Sequence, residues 1–143
     1  MGTRGYYIFR YQGKYYVFYN HFDSYFTGLG ADIVKELQSW TAEDFENAKA
    51  FLGNFPLSGP SDDNISTNFK GLLETLRNPA AYALEEISND PPTKNLMIEY
   101  MYTLDFDRDL FIVEWAGETT YESQRYRLTS IPDDWIELTG HTE

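Results

Sequence analysis

Residues 5–20 read GYYIFRYQGKYYVFYN, two aromatic runs on either side of a Gln-Gly pair. Aromatic and β-branched residues suit a pleated, half-buried surface. A short polar pair with glycine between two such runs is a hairpin turn. The spacing therefore predicts a hairpin over 5–20. Side chains alternate along a strand, so Tyr6, Ile8 and Arg10 share one face, and Tyr7, Phe9 and Tyr11 share the other. Both faces are aromatic. A sheet that grows from this hairpin must be covered on both sides, or it must show a tyrosine-rich side to a partner.

The middle of the chain changes period. Ile33, Val34, Leu37 and Trp40 recur at helical spacing. Thr41, with Asp44 three residues on, opens a second helix as a near capping box, with Phe45, Ala48 and Leu52 as its buried stripe. GNFPLSGPSDDN reads as a loop. Ile65, Phe69, Leu72, Leu73 and Leu76 mark a third helix. Asn78-Pro79 ends it and starts a fourth that runs to about Ile87, since proline suits the first helical position. Strands then return. NLMIEYMYTLDFDRDLFIVEW reads as a second hairpin, with Leu96, Ile98, Tyr100 and Tyr102 on one face and Phe111, Val113 and Trp115 together on the return strand. RYRLTSIPDDWIEL gives a short strand and a turn anchored by Ile131 and Trp135. The expected fold is one α+β domain over 1–143. Its antiparallel sheet combines the N-terminal aromatic hairpin (5–20) with C-terminal strands (96–130), and about four helices fill the region 31–87 between them.

Charge narrows the partners. The formal net charge is −12. Phosphate backbones and anionic lipid repel such a chain, so neither nucleic acid nor a membrane is an expected partner. There is no cysteine, which excludes disulfides, thiolate metal sites and a cysteine nucleophile. The first residues, MGTRGYYIFRYQGK, contain no apolar leader, and no stretch has transmembrane length. Tyr6 stands where a myristoylation signal needs serine or threonine. The chain reads as cytoplasmic, and Asn64-Ile65-Ser66 as a chance sequon.

Three stretches carry a resemblance. MGTRGYYIFRYQGKYYVFYNHFDSYFTGLG, YMYTLDFDRDLFIVEW and RLTSIPDDWIEL resemble a widespread group of fungal proteins without assigned function. Members open with Met-Gly-Thr-Arg-Gly and an aromatic hairpin. They continue with an Asn-His-x-Asp-Ser-Tyr-Pro-x-Gly-Leu-Gly loop, a Tyr-Thr-x-Asp-x-Asp strand end and an Ile-Pro-x-x-Trp turn. The resemblance covers roughly half the chain. It implies a fungal intracellular origin and a loop that behaves as one unit; it brings no activity. Phe26 stands here where the pattern has proline. MGTR is also similar, more slightly, to the Met-Cys-Thr start of the bile-salt type of N-terminal nucleophile hydrolases. Removing Met1 here exposes Gly2, which has no nucleophile.

Candidate sites follow. Asn20, His21, Asp23, Ser24 and Tyr25, with Gly28 and Gly30 before a helix, form the candidate ligand loop. His, Asp and Ser are triad residue types, but triads converge from separate parts of a fold; here they lie within one short extended stretch. Turn chemistry ranks first, since Asn, Asp and Ser bond to nearby backbone. A binding loop ranks second, in which amides at a helix start and His21 hold an anionic or polar ligand. Asp105, Asp107 and Asp109 begin like a calcium loop, but Leu110 replaces the turn glycine and Ala116 the bidentate glutamate. They read as an acidic hairpin turn. The two histidines, His21 and His141, make no metal pair, and His141 falls near a fraying end. No cofactor or metal is expected. GLGADI lacks the lysine of a phosphate loop.

Two functions remain. The favoured one is a non-enzymatic binding or self-assembly domain that uses Tyr6, Tyr7, Tyr15, Tyr16 and Phe18 as an interface with another copy or another protein. The alternative is a small hydrolase-like or ligand-binding enzyme centred on His21 and Asp23, with Arg4 or Arg127 orienting an anionic group.

Overall fold

The aromatic hairpin nucleates the sheet. In the computed structural model, which describes residues 3–55, 69–79, 82, 84–93, 97–117 and 120–141, β1 (Gly5–Tyr11) and β2 (Lys14–Asn20) pair antiparallel from Gly5 opposite Asn20 to Tyr11 opposite Lys14. Gln12 and Gly13 both take positive φ, 52° and 77°. That is the primed turn whose twist matches the two strands. A π-helical turn, Phe26–Gly30, runs directly into α1 (Ala31–Ser39), and α2 (Ala42–Gly53) and α3 (Leu72–Arg77) follow. The remaining elements are β3 (Leu84–Ser88), β4 (Tyr100–Asp105), β5 (Leu110–Ala116), β6 (Tyr121–Arg127) and α4 (Trp135–Thr139).

The fold is α+β, with one six-stranded sheet in the order β3-β2-β1-β4-β5-β6. Its two ends of chain meet at β1 and β4. That central pair is parallel, so the sheet is mixed rather than wholly antiparallel. All other neighbours run antiparallel. The fourth helix expected to reach Ile87 is replaced at Leu84–Ser88 by edge strand β3, which pairs with β2. Helix α4 instead follows β6, where only a turn was expected. Ile98 does not share a face with Tyr100: it lies before β4 begins and packs on the opposite side, with Ile8, Val17 and Met101. Leu96, Ile65, the Asn64 sequon and most of the GNFPLSGPSDDN loop lie outside the described residues.

The two sheet faces have different covers. Tyr7, Phe9, Tyr16, Phe18, Tyr102, Leu104, Phe111 and Val113 form the first face. Every described helix buries its apolar side there: Ile33, Val34 and Leu37 from α1, Ala48 and Leu52 from α2, Leu72 and Leu76 from α3, Trp135 from α4. Glu36 ties two of these helices together. Its carboxylate accepts the first α3 amides, Leu72 N–H at 2.7 Å and Leu73 N–H at 3.2 Å, and the Trp40 indole N–H at 3.1 Å. The second face is smaller. Ile8, Val17, Ile98 and Met101 form its core, framed by half-buried Tyr6, Tyr15, Tyr19 and Tyr121. No helix packs there among the described residues. Ile98 and the Pro91-Pro92 pair reach over it from the connection between β3 and β4.

The capping box at α2 is complete. Asp44 N–H donates to Thr41 Oγ1 at 3.3 Å, and Thr41 N–H donates to Asp44 Oδ2 at 2.9 Å. Thr41→Ala removes one half of it and is expected to cost about 1 kcal/mol, read as a lower urea midpoint at unchanged slope.

Burial also sets an alkaline limit. Loss of hydration raises the hydroxyls of Tyr7, Tyr16 and Tyr126 above the ordinary tyrosine value. The fold thus favours the neutral phenol, while an unfolded tyrosine ionises near pH ~10. This contribution is complete below about pH 10 and is lost as pH rises through the higher folded-state values. The urea midpoint is expected to fall in that alkaline window, together with a cooperative rise in tyrosinate absorbance.

Candidate functional site

The 20–30 loop is built from the inside out. Asn20 is buried at the end of β2 and uses its whole amide. Its Nδ2 donates to the Phe22 carbonyl at 2.6 Å and to Ser24 Oγ at 2.8 Å, and its Oδ1 accepts Phe69 N–H at 2.9 Å. Ser24 is fully buried; its hydroxyl donates to the Asn20 carbonyl at 3.2 Å. The backbone of Ser24 is held on both sides, N–H by the Thr3 carbonyl and C=O by the Tyr102 hydroxyl at 2.7 Å. A Cβ on Gly5 would come within 2.6 Å of Ser24 Cβ. Hence β1 begins with glycine.

Asp23 supplies the bend, at φ 53°, a conformation aspartate tolerates better than most residues. Its carbonyl accepts Leu29 N–H at 2.8 Å. Gly28 and Gly30 do not take positive φ. Each is required by space. A Cβ on Gly28 would lie 2.1 Å from the Asp23 carbonyl oxygen, and one on Gly30 would lie 2.7 Å from the Trp135 ring. Tyr25 precedes the π-helical turn, and its carbonyl accepts the N–H groups of Gly28 and Gly30. It sits at φ −55°, ψ 163°, the extended geometry that a residue before proline needs. The same backbone therefore suits either phenylalanine or proline at 26. Phe26 fills the space beneath, edge-on to Tyr100, Trp115, Trp135 and His141.

These bonds decide what the loop can do. The amides of Gly28, Leu29, Gly30 and Ala31 all bond within the turn, so none points outward to cradle an anion. A cleft of about 470 Å³ does lie beside the loop, but Asp23 and Asp32 line it and make it acidic. His21 is not one of its walls. The His21 ring instead bonds through Nδ1 to the Tyr19 hydroxyl at 2.7 Å. Arg127 lies at the other end of the sheet, opposite Leu110, and pairs with Asp109 at 3.3 Å. Arg127 is thus not brought to His21, whereas Arg4 lies near enough to act electrostatically on the Tyr19 hydroxyl that His21 bonds. His141, expected on a fraying end, is docked: its Nε2 is 3.3 Å from the Tyr100 hydroxyl and its ring packs against Trp115.

The three aspartates of DFDRD act as staples. Asp105 is buried and faces Arg10 Nη1 at 3.2 Å. Asp107 accepts both turn amides of the first hairpin, Gln12 N–H at 2.7 Å and Gly13 N–H at 3.0 Å. Asp109 accepts Thr129 N–H and the Thr129 hydroxyl beyond β6. Among the described residues, no group of three or more His, Cys, Asp or Glu is placed to hold a metal ion.

Of the interface candidates, Tyr7, Tyr16 and Phe18 are buried beneath the helices and offer nothing to a second molecule. Alternation is the reason: they share the face that the helices cover. Tyr6 and Tyr15 point to the second face and stay half-exposed. Tyr6 there joins Tyr19, and through it His21 of the candidate ligand loop and Phe22; Tyr19 and Phe22 were not among the expected site residues. The rings of Tyr6, Tyr19, His21 and Phe22 form a continuous ladder, with centroid spacings of 6.4, 5.8 and 4.5 Å. Its last rung, Phe22, is 48% exposed. The signal was present in the sequence: Tyr19 continues the period-two series of Tyr15, and His21 follows it. Comparison with protein-family models, with curated proteins and with solved structures gave no match to this chain.

Proposed function

We propose that this protein is a non-enzymatic binding or self-assembly domain that works through the tyrosine-framed second face of its sheet. The observation that carries this reading is the half-exposed ring ladder from Tyr6 to Phe22, flanked by Tyr15 and Tyr121. Tyrosine and phenylalanine give large contact area at little conformational cost, and such rings are enriched where proteins meet. The polar groups of the adjoining loop support it from the other side, since Asn20 and Ser24 are spent on internal bonds. The resemblance of its three sequence stretches supports, as part of the same proposal, a fungal cytoplasmic setting.

Phe22→Asp tests it. Phe22 is exposed, so the fold should keep its urea midpoint. Association through this face, followed by sedimentation velocity, is expected to weaken at least ~30-fold, the scale of an interface hot spot. Glu46→Gln on α2, remote from this face, should change nothing. Association that is unaltered by Phe22→Asp would overturn the reading.

A further inference from the structure

The sheet ends on β3 at one side and on β6 at the other, and the two edges are guarded unequally. Strand β3 has five residues, its register against β2 shifts between Val17 and Phe18, and it exposes Glu85 and Glu86 side by side. Short length, a bulge and repeated charge are the means by which an edge is kept from pairing with another chain. Strand β6 has neither the short length nor the bulge, and its charges, Glu122, Arg125 and Arg127, are of mixed sign. Its seven residues, YESQRYR, keep unbroken register with β5 from Tyr121 opposite Ala116 to Arg127 opposite Leu110. It contains no proline, glycine or lysine. Among the described residues only its last position is closed, where Ser130 turns back to Arg127 and donates its N–H to the Arg127 carbonyl.

Charge separates this edge from the rest of the surface. The chain carries −12 overall, so most surfaces repel a second copy. On β6 one carboxylate, Glu122, stands beside two guanidinium groups, Arg125 and Arg127. We propose that two copies of this chain join through β6, antiparallel about a two-fold axis perpendicular to the sheet, so that the two sheets become one. Such an axis keeps each face on its own side, so only residues of equal parity lie opposite each other. Centred on Ser123, the pairing sets Arg125 opposite Tyr121 and Glu122 opposite Gln124. Centred on Gln124, it sets Arg125 opposite Ser123 and leaves Arg127, closed by Ser130 and paired with Asp109, at the end of the joint. Neither register places like charges directly opposite, which would be destabilising, and the first places the Arg125 guanidinium on the Tyr121 ring. The second faces of both copies then lie on one side of the joined sheet. This brings two ring ladders onto a common surface, where a partner could engage both at once with a gain in avidity. That last consequence rests on the proposed binding face; the edge pairing itself does not.

The experiment is sedimentation velocity on the full chain with two variants, Ser123→Glu/Arg125→Glu and Ser123→Lys. Both positions are exposed, and unchanged circular dichroism checks the fold. In either register each variant alone opposes like charges, whereas a mixture of the two opposes unlike charges. The expected result is a wild-type dimer of the 16.7 kDa chain, monomers for each variant alone, and a dimer restored by mixing. A wild-type chain that stays monomeric at the highest soluble concentration overturns the proposal. So does a dimer that both variants leave intact. A dimer abolished by Phe22→Asp but not by the edge variants would overturn it as well, and would leave the binding face standing.

Discussion

Phe26→Ala is expected to cost about 3–5 kcal/mol of folding free energy. The ring is fully buried, and Tyr100, Trp115, Trp135 and His141 meet it edge-on from β4, β5, α4 and the second residue beyond α4. Aromatic edge-to-face pairs add to area burial, so the loss exceeds simple transfer. These neighbours cannot close the cavity easily. Trp135 already touches the space where a Gly30 Cβ would stand, and Tyr102 is tied to the Ser24 carbonyl. A domain of this size holds a margin of about 5–15 kcal/mol, so the variant is expected to fold with a sharply lower urea midpoint. Phe26→Pro separates side chain from backbone. The turn should accept it, and its cost should come from the same missing ring. Urea denaturation of both checks this. A loss near 1 kcal/mol for the alanine variant would mean that the cluster re-closes.

Asp105→Ala is the second large effect, also about 3–5 kcal/mol, because it strands a partly buried cation. Asp105 is 1% exposed and Arg10 16%. Arg10 Nε is already buried with no partner among the described residues. The Asp105 carboxylate also accepts the N–H groups of Asp107 and Arg108, shaping the turn from which Asp107 reaches the first hairpin. Three losses therefore fall together. A double variant, Arg10→Met with Asp105→Ala, should recover part of the loss by removing the stranded charge. Recovery isolates the ionic share; its absence would assign the cost to the turn bonds.

Local chemistry was legible where the chain acts on its near neighbours. The hairpin over 5–20, α1, and the Thr41–Asp44 cap needed only period, turn residues and capping groups. Strand β3 was not legible. Leu84, Glu85 and Glu86 favour a helix, and only the open edge of β2 draws them into a strand. The parallel pairing of β1 with β4 joins segments far apart, and no local pattern encodes its direction. Tyrosine on both faces of the hairpin was readable; which face the helices would claim was not. In the loop, Asn20 and Ser24 were readable as turn formers, but their partners Phe69, Thr3 and Tyr102 come from distant segments. The ring ladder depends on the bend at Asp23 and the end of β2, which put Phe22 in solvent.

Native mass spectrometry of untagged protein, purified gently from its source, tests the binding face most directly. The expected result is a defined assembly heavier than the 16.7 kDa chain, made of further copies or of another protein, in which Phe22→Asp loses whatever the ring ladder holds and keeps at most the dimer joined through β6. A bare monomer, or a monomer carrying only a small bound mass, would contradict it.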